Sequence, residues 1–299
     1  ENTLQTTFHD YLNKMIKEYK SVESYIDFLN RHYQGKNANS STLKYKQSNE
    51  IIKDLEAFVI DLENKTFFQH DITENKIYFY SKEELNELFH QRYSSVPFFE
   101  RLEQMAIKFS ENNYRGSKKK KATYHKLLLE SLEFKKDYKT ILEMFYRSPF
   151  FQENLLEKDI LNLRNNKQIA YDDALLLVYL KGIMEGFYYE KYIEQVVIDE
   201  AQDYSYLQYI ILSKIFKKSS FTLLGDTNQN INPFYNYETL EELTKIFPGK
   251  YIELTKTYRS SEEIIEYANK ILNLNHVCAI RKNKEKSYAA CFRLHHYQK

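Results

Sequence analysis

Apolar residues recur with a helical period along much of the chain, so most of the predicted elements are helices. The period is clearest in residues 49–62, 97–112, 122–146 and 262–272. Two β-rich runs within residues 66–80 flank a polar turn and predict a hairpin. The polar stretch 32–48 predicts a linker or an exposed loop.

Three short apolar runs in the second half break the helical pattern and predict β-strands. They lie at residues 196–198, 221–224 and 251–254. The first run ends in two adjacent carboxylates, Asp199 and Glu200. A buried parallel strand delivers acids in this way to the carboxyl edge of an α/β sheet, where nucleotides bind. One carboxylate there can hold Mg²⁺ through its waters, and the next can polarise an attacking water.

A polar box accompanies each of these strands. The boxes read VVIDEAQDYS from Val196, SFTLLGDTNQ from Ser220 and TYRSS from Thr257. In order and spacing they resemble the DEAQD, GDxxQ and YRS…I…AN boxes of Rep/UvrD-type superfamily 1 DNA helicases. The third box is matched by Tyr258, Arg259, Ser260, Ile264, Ala268 and Asn269. The resemblance implies an α/β, RecA-like P-loop NTPase fold with part of its parallel sheet, and an ATP-dependent helicase or translocase activity.

The resemblance also implies catalytic roles for three residues. Glu200 matches the glutamate that activates the hydrolytic water, and Gln229 matches the glutamine that senses the γ-phosphate. Arg259 matches an arginine finger on the γ-phosphate. These roles suit phosphoryl transfer, which depends mostly on positioning and charge stabilisation.

Three further residues are expected to bind the cofactors, ATP and Mg²⁺. By resemblance, Asp199 holds Mg²⁺ through water, and Tyr258 stacks on the adenine. Gln202 and Asp203 complete the DEAQD box, and we expect them to link the nucleotide site to the third box, YRS…I…AN.

Two other interpretations explain the acids less completely. Asp199 and Glu200 could cap a helix after a core strand. A metal-dependent nuclease is the second alternative, and its acids would be Asp199, Glu200, Asp203 and Asp226. A nuclease leaves Gln229, Tyr258 and Arg259 without a role.

The glycines exclude a phosphate-binding loop within this sequence. None of the six belongs to a G-x-x-x-x-G-K-[ST] motif: Gly35-Lys36 is followed by Asn37, and Gly249-Lys250 by Tyr251. The later helicase boxes are also missing. We therefore expect a fragment of a longer enzyme, and we expect the fragment alone not to hydrolyse ATP.

The interruption of the βαβ rhythm predicts an insertion. We expect residues 1–44 and 166–258 to form part of a first RecA-like domain, 45–165 a mostly helical inserted subdomain, and 259–299 the start of a second RecA-like domain. Residues 172–182, which lead to the DEAQD box, resemble HelD-type helicases, the subgroup associated with bacterial RNA polymerase.

Three features of the chain are candidate partner contacts. A basic loop before a predicted helix can bind phosphates or an acidic protein face, and its cations are Arg115, Lys118, Lys119, Lys120 and Lys121. Phe234 and Tyr235 lie where the helicases carry a tryptophan that stacks on single-stranded DNA, and this chain has no tryptophan. The aromatic pair Phe150 and Phe151 is a candidate partner surface.

Composition limits the classes of binding partner and the cellular compartment that we expect for the protein. The chain has 43 basic and 42 acidic side chains, so a nucleic-acid contact has to come from local patches. The alternative to a DNA helicase is a non-catalytic module that binds RNA polymerase through the insert. Two widely spaced cysteines and the lack of a signal peptide or membrane-spanning run predict a cytoplasmic parent protein. Abundant Lys, Asn, Ile and Tyr are typical of an A·T-rich bacterial genome.

Overall fold

A computed structural model describes residues 8–33, 40–74, 77–155, 157–188, 190–230, 237–257, 260–272 and 277–279. The chain divides into two units, one up to Phe247 and one from Pro248. The predicted boundaries near residues 44, 165 and 258 stay predictions.

The described part of the first unit is built mainly of helices. They are α1 (Phe8–Met15), α2 (Tyr25–Tyr33), α3 (Ser40–Gln47), α4 (Glu50–Lys65), α5 (Lys82–Glu87), α6 (Phe98–Tyr114), α7 (Lys118–Leu132), α8 (Tyr138–Tyr146), α9 (Glu157–Asn165), α10 (Tyr171–Glu185) and α11 (Tyr206–Ile215). A π-helical turn, Leu88–Arg92, follows α5, and 3₁₀ turns occupy Ala201–Asp203, Thr227–Gln229 and Leu240–Lys245. The strands are β1 (Ser21–Val22), β2 (Ile72–Glu74), β3 (Ile77–Tyr80), β4 (Gln168–Ile169), β5 (Gln195–Ile198) and β6 (Ser220–Leu223).

Helix α10 is the central element of this unit. A helix that is apolar on all sides must be buried on all sides, and α10 contacts α1, α3, α4, α6, α8 and α11. Its buried apolar residues include Ala174, Leu175, Leu176, Leu177, Val178 and Leu180. Each such leucine stabilises the fold by about 1.5–3 kcal/mol through removal of its side chain from water.

Helices α4 to α8 enclose an aromatic core. Phe98 of α6 meets Phe89 edge to face, at 5.1 Å between ring centroids. Helices α6 and α7 pack against each other through Phe109 and Tyr124, at 5.7 Å. The predicted hairpin is confirmed as the antiparallel pair β2–β3. Ser81 caps α5 in a capping box with Glu84.

The single helix predicted over residues 122–146 is wrong in two respects. The chain forms two helices there, because Glu133 ends α7 in the left-handed region at φ 52°. Helix α7 also begins four residues earlier than predicted, at Lys118. The lysines therefore lie in the first turn of a helix and not in a flexible loop.

The loop predicted over residues 32–48 is also wrong, because α3 lies within it. Leu43 and Lys46 of this helix are buried. The Lys46 ammonium pairs with the carboxylate of Asp172, at 2.9 Å, and with that of Asp173. Tyr146 of α8 donates its hydroxyl hydrogen to Asp173. These long-range ion pairs thus stabilise a helix in a segment whose polar local pattern predicts a loop.

Two parallel strand pairs occur among the described residues of the first unit. β1 pairs with β4, and β5 pairs with β6 in the register Ile198↔Leu223. Parallel pairs need crossover connections: α11 lies in the connection from β5 to β6, and the chain from α2 to α9 lies between β1 and β4. The described residues of the first unit thus contain two short parallel sheets of two strands each, while a single larger parallel sheet stays a prediction.

The described part of the second unit contains β7 (Lys256–Thr257), α12 (Glu262–Leu272) and β8 (Cys278–Ala279). β7 and β8 are parallel. The strand predicted at residues 251–254 is not formed, and ladder pairing begins only at Lys256. Helix α12 is confirmed. Across the described ranges, no helix combines the length and the apolar character that a membrane crossing needs.

Candidate functional site

The two acidic boxes of the first unit start side by side at the carboxyl end of β5 and β6. Beyond the last ladder pair, Leu224 donates its backbone N–H to the Ile198 carbonyl, at 2.9 Å. Ala201 donates its N–H to the Leu224 carbonyl, at 2.8 Å. These two bonds hold the turn of the first box against the turn of the second. The DEAQD and GDxxQ boxes therefore meet at this edge of the structure.

The two carboxylates of the first box face solvent. Asp199 and Glu200 are both exposed. Glu200 has a left-handed backbone, with φ 51° and ψ 45°, and the Asp199 side chain accepts its N–H at 3.0 Å. A non-glycine residue in this region costs about 1–2 kcal/mol. The turn directly after the strand is thus held in a conformation that the local sequence does not favour.

Gln202 joins the two boxes through its side-chain amide. Its Nε2 donates to Glu200 Oε2 at 2.7 Å, and its Oε1 accepts the N–H of Asp226 at 3.0 Å. The residue is 1% exposed. The structure thus joins the first box to the second, whereas the predicted link to the third box and a direct cofactor contact by Gln202 stay predictions.

Gly225 is required by close approach. A Cβ at this position would lie 2.5 Å from Gln202 Oε1 and 3.0 Å from Ala201 N. Among the described residues, the glycines with positive φ are Gly116 and Gly186. The sequence indicates that Gly225 permits a tight turn, and the structure adds that its lack of a side chain makes room for Gln202.

Asp226 organises the second box. Its carboxylate accepts the backbone N–H of Asn228 at 3.0 Å and the Nε2–H of Gln229 at 2.9 Å. Burial alone would raise the pKa of Asp226, but the hydrogen bonds from Gln229 and Asn228 lower it below its ordinary value. Gln229 is exposed, so the predicted sensor is oriented by Asp226 and open to solvent.

Helix α11 holds the DEAQD box through residues that the helicase boxes did not identify. Ser205 and Gln208 form a capping box at its start. The Tyr209 hydroxyl donates to the Ala201 carbonyl, and Gln208 donates to the Tyr171 hydroxyl at 3.1 Å. The Ser-x-x-Gln spacing was readable in the sequence, whereas the Tyr209 contact has no local signal.

The exposed carboxylates suit a nucleotide-bound Mg²⁺ better than a metal held by protein alone. Among the described residues, no group of three or more His, Cys, Asp or Glu side chains is placed to hold a metal ion. In nucleotide sites, Mg²⁺ takes one or two carboxylates and completes its octahedron with phosphates and waters. Asp199 offers a carboxylate of that kind at the sheet edge.

Several predicted contact residues are not brought to this edge by the described structure. Tyr258 and Arg259, and likewise Phe234 and Tyr235, lie outside the described residues. The predicted basic residues belong to the α6–α7 hairpin.

At the end of this hairpin, some of the cations are exposed and the others contact neighbouring side chains. Arg115 ends α6 at φ 51° and is exposed, as are Lys118 and Lys119. Lys120 lies over the Tyr114 ring at 4.2 Å, and Lys121 pairs with Glu103. Three cations at the end of the hairpin thus face solvent.

Comparison with known proteins agrees with this geometry. Residues 1–248 match the family described as the UvrD/REP helicase N-terminal domain. The chain is 30% identical over 158 residues to the ATP-dependent DNA helicase Rep of Buchnera aphidicola, a match that covers 50% of this chain and 22% of that protein. It is 30% identical over 116 residues to the ATP-dependent DNA helicase srs2 of Schizosaccharomyces pombe, which covers 38% of this chain and 13% of the relative.

A third relative is also an ATP-dependent DNA helicase. The ATP-dependent DNA helicase PcrA of Leuconostoc citreum is 25% identical over 120 residues, 38% of this chain and 16% of its own length. The matches thus span less than a quarter of each of these relatives. The family match implies a RecA-like α/β fold, with which the parallel pair β5–β6 and its acidic edge agree.

Proposed function

The chain belongs to the UvrD/REP helicase family, and from that premise we propose that it is the nucleotide-hydrolysing part of an ATP-dependent superfamily 1 DNA helicase. The observation that carries the proposal is the hydrogen-bonded edge at which Glu200, Gln202 and Asp226 meet. Phosphoryl transfer needs groups fixed in advance around the reacting phosphate and water. Surface acids that merely capped a helix would have no need of a buried amide between them.

Within this function, ATP would lie across the exposed side of the edge. Asp199 would hold Mg²⁺, which when bound would offset charge on the phosphates. The Glu200 carboxylate would accept a proton from the attacking water, and Gln229 would contact the γ-phosphate. Arg259 and Tyr258, from the third box, complete the set by resemblance, as an arginine finger and an adenine platform.

ATP hydrolysis by the full-length protein that contains this chain tests the proposal. We expect Glu200→Gln to lower kcat by about 100-fold or more, because a positioned base contributes about 10²–10⁴-fold. Glu194→Gln is the matched control, since Glu194 is an exposed acid just before β5. Equal activity of wild type and Glu200→Gln would contradict the proposal.

DNA is the proposed polymer substrate, with the exposed cations of the α6–α7 hairpin as one contact. Replacing Lys118 and Lys119 by alanine should reduce the salt dependence of DNA binding by about one unit for each phosphate that the variant no longer neutralises. Lys126→Ala is the control, because Lys126 lies on the same helix next to Glu130. An unchanged slope would remove these lysines from the interface. Phe234 and Tyr235 stay proposed as a stacking platform.

The HelD-type subgroup is the finer proposal, and stimulation of ATP hydrolysis by RNA polymerase would support it. Stimulation by single-stranded DNA alone would favour an ordinary Rep/UvrD-type motor. The non-catalytic polymerase-binding module has no supporting observation among the described residues. Phe151, one of its candidate contacts, is buried, and Phe150 packs against Phe58 at 6.3 Å between ring centroids.

A further inference from the structure

Gln202 occupies an unusual place in the candidate site, because it is buried while the groups that it connects are exposed. Its side chain is 1% exposed, yet Glu200 and Asp226 on either side of it face solvent. A buried amide is costly unless both of its ends are hydrogen-bonded. Both ends are satisfied, by Glu200 at 2.7 Å and by the Asp226 N–H at 3.0 Å.

The chemistry of the two partners specifies an amide at this position. The ionised Glu200 carboxylate can only accept a hydrogen bond, and the Asp226 N–H can only donate one. A side chain between them must therefore donate at one end and accept at the other. Glutamate would lose the donor, and methionine of similar length would lose both functions.

The second box is built around this amide. A side chain at Gly225 would collide with Gln202 Oε1 at 2.5 Å. Asp226, whose N–H binds the amide, also accepts the Nε2–H of Gln229 at 2.9 Å. A continuous path therefore runs from Glu200 through Gln202 and Asp226 to Gln229. Its links are the hydrogen bonds between these residues and, within Asp226, the covalent bonds from the backbone N–H to the carboxylate.

We infer that Gln202 is a positioning residue, which orients the Glu200 carboxylate and couples it to the orientation of Gln229. The inference rests on the proposed function, since it assigns Gln202 to the same hydrolytic site. Contact of Gln229 with a γ-phosphate would shift Asp226, and the amide would transmit that shift to Glu200. The water-activating group and the phosphate-sensing group would then be aligned together.

Kinetics of the full-length protein test the functional part. Gln202→Met and Gln202→Glu should each lower kcat for ATP hydrolysis by about 10–100-fold, the scale of a misplaced catalytic group. The KM for ATP should change by less than about threefold if Gln202 acts through Glu200, whereas loss of a direct contact with ATP would raise KM. Tyr179→Phe is the structural control, since it removes a partly buried hydrogen bond to Glu56, away from the site. Its kcat should stay at the wild-type value.

The coupling between Gln202 and Gln229 can be measured through kcat, and a purely structural role of Gln202 would not produce it. In a Gln229→Ala background, Gln202→Met should lower kcat by clearly less than it does in wild type, because the path is already cut. Equal fold losses in both backgrounds would overturn the coupling. A Gln202→Met protein with kcat within about threefold of wild type would overturn the positioning role, while leaving the proposed function intact if Glu200→Gln is inactive.

Hydrogen exchange tests the link independently of turnover. The amide of Asp226 should exchange at least about 10-fold faster in Gln202→Met than in wild type, since its acceptor is gone. In Gln202→Glu the acceptor is retained, so exchange should stay slow. Unchanged exchange in Gln202→Met would overturn the link. A wild-type protein that does not hydrolyse ATP would overturn the proposed function and, with it, the catalytic role of Gln202.

Discussion

The helical core of α4–α8 and the strand pair β5–β6 differ in what holds them in place. Phe98, Leu102 and Phe145 in the helices are 0% exposed, whereas Val197 of β5 is 59% and Leu224 after β6 is 50% exposed. The helices are stabilised by burial of apolar area. The edge that carries the acids depends instead on hydrogen bonds through Ala201, Gln202 and Asp226. Stability and chemistry are thus concentrated in different parts of one unit.

The largest expected contrast comes from side-chain truncation in the two regions. Phe145→Ala should lower the free energy of unfolding by about 3–5 kcal/mol, because it opens a cavity among Phe58, Tyr146 and Phe151. Val197→Ala should change it by no more than about 0.5–1 kcal/mol. Urea unfolding monitored by circular dichroism measures both. Similar losses would contradict the comparison.

Removal of one charge from the buried cluster should have the next largest effect. Lys46→Met leaves the carboxylates of Asp172 and Asp173 buried without their cation, which costs about 3–5 kcal/mol at a fully buried pair. Lys65→Met is the control, since its pair with Asp61 lies on the surface and contributes less than about 1 kcal/mol. Denaturant midpoints compare the two. A tolerated Lys46→Met would mean that the cluster is dispensable for stability.

The acid edge should respond to a single added methyl group. Gly225→Ala forces Gln202 or the Ala201 backbone to move, at a cost of about 1–3 kcal/mol typical of overpacking. We also expect ATP hydrolysis by the full-length protein to fall. Thermal unfolding and turnover measure the two effects. In a Gln202→Ala background, Gly225→Ala should destabilise the protein less than it does in wild type. Equal destabilisation in wild type and in Gln202→Ala would contradict the steric explanation.

The smallest effect should be a change in titration at Asp226. Its pKa is lowered in the folded protein, so its contribution to stability is present above the ordinary value of about 3.9 and is lost as pH falls through the lowered pKa. Gln229→Ala removes one donor and should raise the pKa of Asp226 toward the ordinary value. Carboxyl NMR titration measures this change. Gln69→Ala, a surface change on another element, should leave it unaltered.

Local signals predicted much of the fold. The strand before Asp199, the strand before Gly225, the hairpin and helix α12 follow from apolar patterns and turn residues. The Ser81 capping box was equally readable, because its two partners are three residues apart. The acidic boxes could be placed at one sheet edge, since parallel strands align their carboxyl ends.

Long-range contacts account for what the sequence did not predict. Helix α3 depends on an ion pair between residues 126 positions apart in the chain, Lys46 and Asp172. The break between α7 and α8 occurs at Glu133, whose positive φ has no distinctive local sequence. In the site, the donor and acceptor of Gln202 are satisfied by two different boxes, so only the tertiary arrangement reveals why an amide is needed.

The position of helix α10 has a mechanical consequence. Its first turn holds the buried cluster with Lys46 and, through Tyr146, is tied to α8. At about 1.5 Å per residue, its fifteen residues form a rod of about 22 Å, and the chain continues from it toward β5. A load applied to the helical region would be carried along this rod as tension or compression.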